Sequence, residues 1–212
     1  MLFVVAGYPA SGKTTALQLS SRKGIRLFPP PFDRDFQSSL PPKVMGQFVP
    51  TEEKLRGRMW LHYVDEEAFA RIEPKPRHAV YHMDLLLHLL NDIQPNAMSD
   101  FTDEAIRGSF EAFFAGPFCA PYPQRAVATL YPDFLVLRSR WGARMAEVDD
   151  TDITTIQHKD QIIMGGHGPA LYRRVMGIWY KVASDASLGN WLLRGGKNGN
   201  GLPYRQIALA EG

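Results

Sequence analysis

Cysteine is almost absent: Cys119 is the one thiol in 212 residues. A single thiol closes no internal disulfide, so the fold must rest on a packed core, and a reducing, cytoplasmic setting is expected. Long apolar runs are missing as well. None approaches the roughly 18 residues that a membrane-spanning helix needs, so no membrane partner is expected. The apolar opening from Met1 to Gly7 lacks the basic flank of a signal peptide and runs directly into a motif that needs it as a strand. Charge of one sign is scarce, since 24 Lys and Arg against 22 Asp and Glu leave only +2. That excess gives no strong signal for a nucleic-acid partner. No period of about 20–50 residues recurs, which excludes solenoids and propellers. The six histidines show no zinc-ligand spacing.

What is present is an ordinary globular balance, with 45% hydrophobic and 22% charged residues. A disordered tail, a collagen-like chain and a disulfide scaffold are therefore excluded. The length suits one domain, or one core with an inserted lid.

Residues 2–6 form a short, wholly apolar run, the pattern of a central parallel strand buried on both faces. A turn at 7–12 leads into a helix over 13–22, with Gly24 as its C-cap. Residues 25–28 read as a second short strand, and the proline-rich stretch that follows, to Pro50, as a long loop or small subdomain. Residues 51–72 look helical, with a break at Gly57. Further strands are expected at 79–83, 126–130 and 191–193. Helices are expected over 85–90, over 102–115 with Thr102 as cap, over 133–145, and from Pro169 onward. Ile106, Phe110, Phe113 and Phe114 share one helical face, and Leu171, Val175, Ile178 and Val182 share another. Residues 149–168 read as polar and irregular, 195–201 as a flexible glycine turn, and 204–210 as a last short element. Strands alternating with helices imply a three-layer α/β/α domain with a mostly parallel central sheet.

The segment Gly7-Tyr8-Pro9-Ala10-Ser11-Gly12-Lys13-Thr14 satisfies G-x-x-x-x-G-K-[ST]. Glycines let such a loop wrap closely, so that successive backbone N–H groups converge on an anion. The helix starting near Lys13 adds the positive end of its dipole. Lys13 is placed to reach the outer phosphates, and the Thr14 hydroxyl is a hard oxygen ligand for Mg²⁺. Four constrained positions coincide by chance in about one chain in a hundred of this size, and here they also follow a buried strand and precede a helix.

The segment resembles the Walker A loop of P-loop NTPases. Gly7-Tyr-Pro-Ala-Ser-Gly-Lys-Thr-Thr15 is most similar to the loop of the small P-loop kinases, which act on nucleoside monophosphates and other small molecules. The resemblance covers the first twenty or so residues. It implies a single P-loop kinase-like domain over 1–212, with ATP and Mg²⁺ as cofactors. The phosphates would be held by Gly7, Tyr8, Pro9, Ala10, Ser11, Gly12, Lys13, Thr14 and Thr15. A small-molecule acceptor would bind an insertion at 28–60, and a lid would lie at 149–168.

Asp84 ends the apolar run Ala79-Val-Tyr-His-Met83 and resembles the Walker B aspartate, which acts on the metal directly or through water. Its other reading is a helix N-cap before Leu85. His82 lies two residues earlier and so shares a face with Asp84 in a strand. Either residue is placed to take a proton from an alcohol acceptor, while His82 also reads as an ordinary core histidine. Arg140 and Arg144 are four apart, hence neighbours on one helical face. The stretch from Ala126 resembles the strand and arginine-bearing helix that precede the lid in nucleoside monophosphate kinases, with the arginines one residue later. The resemblance implies that Arg140 and Arg144 clamp phosphates, and the bland alternative is a solvated basic face. Arg138 points elsewhere, and Arg173 and Arg174 follow the irregular segment and read as surface residues. Arg56, Arg58, Trp60 and Tyr63 read as an amphipathic helix rather than an acceptor clamp. Cys119, among prolines and without a helix dipole or base, does not read as a catalytic thiol.

The reading is therefore an ATP-dependent, Mg²⁺-dependent phosphotransferase with Lys13, Asp84, Arg140 and Arg144 as its catalytic groups. Two alternatives stay open. Tyr8-Pro-Ala-Ser-Gly12 is also similar to the loop of sulfotransferases, which holds the 5′-phosphate of a 3′-phosphoadenylyl sulfate donor, although that family tends to have Thr where Lys13 stands. A nucleotide-regulated switch is the other, and the chain lacks the Asn-Lys-x-Asp guanine motif of the switch GTPases. That lack leans the donor toward ATP. Acceptor identity and oligomeric state are not readable.

Overall fold

The computed structural model describes residues 2–13, 58–62, 78–146, 153–194 and 205–207. These residues build a mixed α/β fold around one sheet. In chain order they form strands β1 (Leu2–Gly7), β2 (Arg58–His62) and β3 (His78–Asp84), helix α1 (Leu85–Ile93), a single 3₁₀ turn (Met98–Asp100), and helix α2 (Asp103–Ala115). There follow β4 (Arg125–Leu130), α3 (Phe134–Met145), α4 (Ile153–Met164), α5 (Gly168–Ala186), β5 (Asn190–Arg194) and β6 (Arg205–Ile207).

The sheet runs β2-β3-β1-β4-β5-β6. The first five strands pair in parallel, and β6 adds antiparallel at the β5 edge. β1 is flanked on both sides, and all six of its residues are buried. This explains why its sequence is continuously apolar rather than alternating. Because β3 and β4 leave β1 in opposite directions across the sheet, the carboxyl end of β1 lies where the winding reverses, the place where open α/β sheets open a crevice for ligands.

Helix starts follow local chemistry. Thr102 accepts the Ala105 N–H at 3.1 Å, with Asp103 and Glu104 in the first turn of α2. Asp133 accepts the Leu135 N–H at 2.8 Å to open α3. Pro169 sits in the first turn of α5, where its missing N–H leaves no helical bond unmade.

The faces expected from helical spacing are the buried ones. Ile106, Phe110, Phe113 and Phe114 of α2 meet Leu171, Val175, Ile178, Trp179 and Val182 of α5 in the core. Trp179 lies edge-on to Phe110 at 5.1 Å and stacks with Phe114 at 5.5 Å. Its indole Nε1 donates to Thr129 Oγ1 at 2.9 Å, and that hydroxyl donates to Asn190 Oδ1 at 2.9 Å. A polar thread thus ties α5, β4 and β5 inside an apolar core, each member satisfied by the next.

Two expectations are corrected. Part of the helix expected over 51–72 is strand β2, pairing residue by residue with β3 from Arg58↔His78 to His62↔His82. Met59-Trp60-Leu61 fits a strand, and a free sheet edge outweighs the weak helical preference of the charged residues around it. Arg58 and Trp60 therefore lie on a strand rather than an amphipathic helix. The irregular segment expected at 149–168 contains α4 instead. The expected strand at 25–28, the glycine turn at 195–201, most of the 13–22 helix and most of the 28–60 insertion lie outside the described residues.

Replacing Thr129 by the isosteric Val leaves the buried Trp179 N–H without its acceptor. A urea titration should show a loss of about 1–3 kcal/mol in unfolding free energy, and a change smaller than about 0.5 kcal/mol would show that the thread contributes little.

Candidate functional site

The turn after β1 is built by residues with little freedom to be anything else. The Ser11 N–H donates to the Tyr8 carbonyl at 3.2 Å, closing a turn with Pro9 second and Ala10 third. Ala10 has φ 58°, the left-handed value that a type II turn requires at this place. Gly12 has φ 92°, which only glycine adopts freely, and the backbone becomes helical at Lys13. A Cβ on Gly7 would lie 2.6 Å from Ser11 Oγ and 3.0 Å from the Leu130 carbonyl. The first and last glycines of the motif are therefore demanded by close approach and by conformation respectively.

Lys13 folds across this loop. Its Nζ donates to the carbonyls of Gly7 at 2.8 Å and Tyr8 at 2.7 Å and lies 3.5 Å from Ser11 Oγ. Burial, then the nearby charges of Lys159 and Arg144, outweigh the attraction of Asp84 and pull its pKa down to about 8.

Asp84 stands beside the loop because β1 and β3 are parallel and in register, with Gly7 opposite Asp84. The cap reading of this residue is realised. Oδ1 accepts the Leu87 N–H at 3.0 Å and caps α1. Oδ2 accepts from Lys159 Nζ at 3.2 Å. Burial works to raise its pKa, but Lys159, Lys13 and the Leu87 N–H outweigh it and hold the carboxyl below its usual range, so it is ionised at neutral pH.

Lys159 was not singled out in the sequence. It comes from α4 and is 8% exposed, close to the 5% of Lys13 and 7% of Asp84. Ile156, Lys159, Asp160 and Ile163 have the spacing of one helical face, and Asp160 Oδ1 accepts from Trp141 Nε1 at 3.0 Å. Two polar residues in the middle of that face break the hydrophobic period, which is why the helix reads as irregular and its lysine as unremarkable.

The other expected groups are placed as follows. His82 is buried on β3 opposite Val5 of β1. Arg140 is half-buried and Arg144 exposed, both on α3, and the positive charge of Arg144 is felt at Lys13. Arg173 is exposed on α5, and Arg174 pairs with Asp103 at 3.0 Å. Tyr8 is buried edge-on against Tyr172 at 4.9 Å, and its hydroxyl has no hydrogen-bond partner among the described residues. Burial and Asp84 raise its pKa. Thr14 and Thr15 lie outside the described residues. Cys119 is fully buried and its thiol is pushed up to about 12 by that burial, the opposite of a nucleophile.

No group of three or more His, Cys, Asp or Glu gathers into a metal cage among the described residues. Among the described residues Asp84 supplies the carboxylate beside the loop, and one carboxylate would suit Mg²⁺ held mainly by phosphate oxygens and water, not a metal enclosed by protein. Among the described residues no helix is long and apolar enough to cross a membrane. Compared with protein-family models, with curated proteins and with solved structures, the chain matches none.

Two outcomes follow from this geometry. Ala10→Gly relieves a left-handed residue worth about 1–2 kcal/mol but adds about 0.4–1 kcal/mol of unfolded-chain entropy, so thermal melts should show a neutral to slightly stabilised protein. Binding a polyanion favours the ammonium form of Lys13 and raises its pKa above 8. Calorimetry near pH 8.5 in buffers of different ionisation heat should therefore show proton uptake, and affinity should fall as pH rises through about 8. Proton release on binding would contradict this assignment of Lys13.

Proposed function

We propose that the chain is a Mg²⁺-dependent P-loop phosphotransferase of α/β/α architecture. It takes ATP at the turn of residues 7–15 and passes the terminal phosphoryl group to a small-molecule acceptor. The observation that carries this reading is the conjunction of the Gly7–Gly12 turn, the Lys13 ammonium folded over it, and the ionised Asp84 brought alongside by strand register.

Lys13 and the loop amides bind the phosphates. Asp84, with Thr14, holds Mg²⁺, which when bound neutralises the phosphate oxygens and screens the developing charge. Arg144, whose field reaches Lys13, adds positive charge from α3, with Arg140 one helical turn before it. The charge balance supports this reading: Lys13 and Lys159 both act on the Asp84 carboxylate, and Arg144 adds a further positive charge felt at Lys13, an arrangement suited to a polyanion.

A thermal-shift comparison of ATP–Mg²⁺ with adenosine 3′,5′-bisphosphate separates a kinase from a sulfotransferase-like enzyme. Stabilisation by ATP–Mg²⁺, abolished in Lys13→Ala and weakened at least about tenfold in Asp84→Asn, is the expected result. Unchanged ATP affinity in Lys13→Ala removes the reading. A screen of small metabolites for phosphorylated products then names the acceptor, and phosphate release with no acceptor would favour a hydrolytic switch.

A further inference from the structure

We propose that Lys159 is a second phosphate-binding lysine of this site, held at the loop's edge by Asp84 and able to leave that carboxylate for a bound polyphosphate. The inference rests on the phosphate-binding reading above and adds to it a residue from a different helix.

The argument is one of charge and position. Lys13 and Lys159 are both buried, and the carboxylate of Asp84 lies between their demands. Lys159 takes Oδ2 of that carboxylate, while Oδ1 is committed to capping α1. Lys13 is left with neutral partners, two carbonyls and a hydroxyl. Among the described residues, this buried cluster of two ammonium groups and one carboxylate carries one uncompensated positive charge. Burying such a charge is expensive unless an anion arrives to match it. Lys159 bonds Asp84, Asp84 stands opposite Gly7 in the strand register, and the Gly7 carbonyl holds Lys13, so both ammonium groups lie at the carboxyl ends of β1 and β3.

The holder is also well chosen. The Asp84–Lys159 contact is a single 3.2 Å bond to one oxygen, not a fork. A lysine ammonium on a flexible stem can exchange that oxygen for a phosphate oxygen by rotating its side chain, with no movement of α4. Asp84 keeps its bond to Leu87 throughout, so α1 and the end of β3 stay in place while the cation changes partner. The carboxylate oxygen thus freed is the one that a phosphate-bound cation needs.

The experiment measures affinity for inorganic tripolyphosphate by calorimetry in EDTA, with no turnover involved. In the wild type, Lys13-dependent binding is expected. Lys159→Met should weaken it by about ten- to a hundredfold, the worth of one charge-assisted contact, while Lys159→Arg keeps most of it. Asp84→Asn should strengthen metal-free binding, because it frees the ammonium and removes a negative charge. If Lys159→Met alone does not fold, the double variant Asp84→Asn/Lys159→Met, which buries neither charge, carries the comparison. Its affinity should fall at least about tenfold below that of Asp84→Asn. Affinities within about twofold across each of these pairs overturn the role of Lys159 while leaving Lys13-dependent binding intact. Absence of any Lys13-dependent binding in the wild type overturns both this inference and the phosphotransferase reading.

Discussion

The structure turns on the carboxylate of Asp84. A buried carboxylate is tolerated only where its oxygens are matched, and this one is matched in two directions by groups from two different helices. One oxygen fixes where α1 begins. The other ties α4, some 75 residues further along the chain, to the carboxyl end of β3. Because β3 runs parallel to β1 with Gly7 opposite Asp84, the same group sets the distance between the glycine turn and α4. Capping, ion pairing and strand register are thus one constraint, and the placing of α4 beside the loop follows from it.

Around that constraint the core supplies rigidity without taking part. The aromatic contacts of α2 with α5, and the thread from Trp179 through Thr129 to Asn190, fix the helices against the far half of the sheet. Tyr172 reaches from α5 to donate to the Pro132 carbonyl at 2.7 Å and also packs on Tyr8. The base of the glycine turn is therefore packed against α5.

The sheet was legible where burial on both faces leaves an unbroken apolar run, as in β1, and where a short apolar run sits between turn signals, as in β3, β4 and β5. It was not legible at β2, an edge strand whose charged neighbours in sequence imitate a helix and whose strand character comes from the strand it pairs with. The caps of α2 and α3 were readable because Thr102 and Asp133 announce them chemically. The cap of α1 was readable at Asp84 too, while the ion pair that its second oxygen makes with Lys159 was not. Lys159 was hidden because helical periodicity is read from apolar residues, and a lysine turned inward subtracts from the signal that would reveal its helix. Sequence periodicity is weakest where a helix turns polar groups inward.

On the proposed phosphate-binding reading, the loop's own donors explain why side-chain cations would matter. A phosphate nest is ordinarily a run of backbone N–H groups. Pro9 has no N–H, and the Ser11 N–H is committed to the Tyr8 carbonyl. The remaining main-chain donors between positions 9 and 13 are Ala10, Gly12 and Lys13. The carbonyls of Gly7 and Tyr8 meanwhile point at the Lys13 ammonium, which they hold over the turn. If the loop takes a polyanion as proposed, its few free amides would be supplemented by the charge of the two lysines beside it. Two neutral carbonyls hold Lys13, and a carboxylate already occupied at its other oxygen holds Lys159. The sparse amides, the strained Ala10 and the paired lysines are consequences of the same short turn.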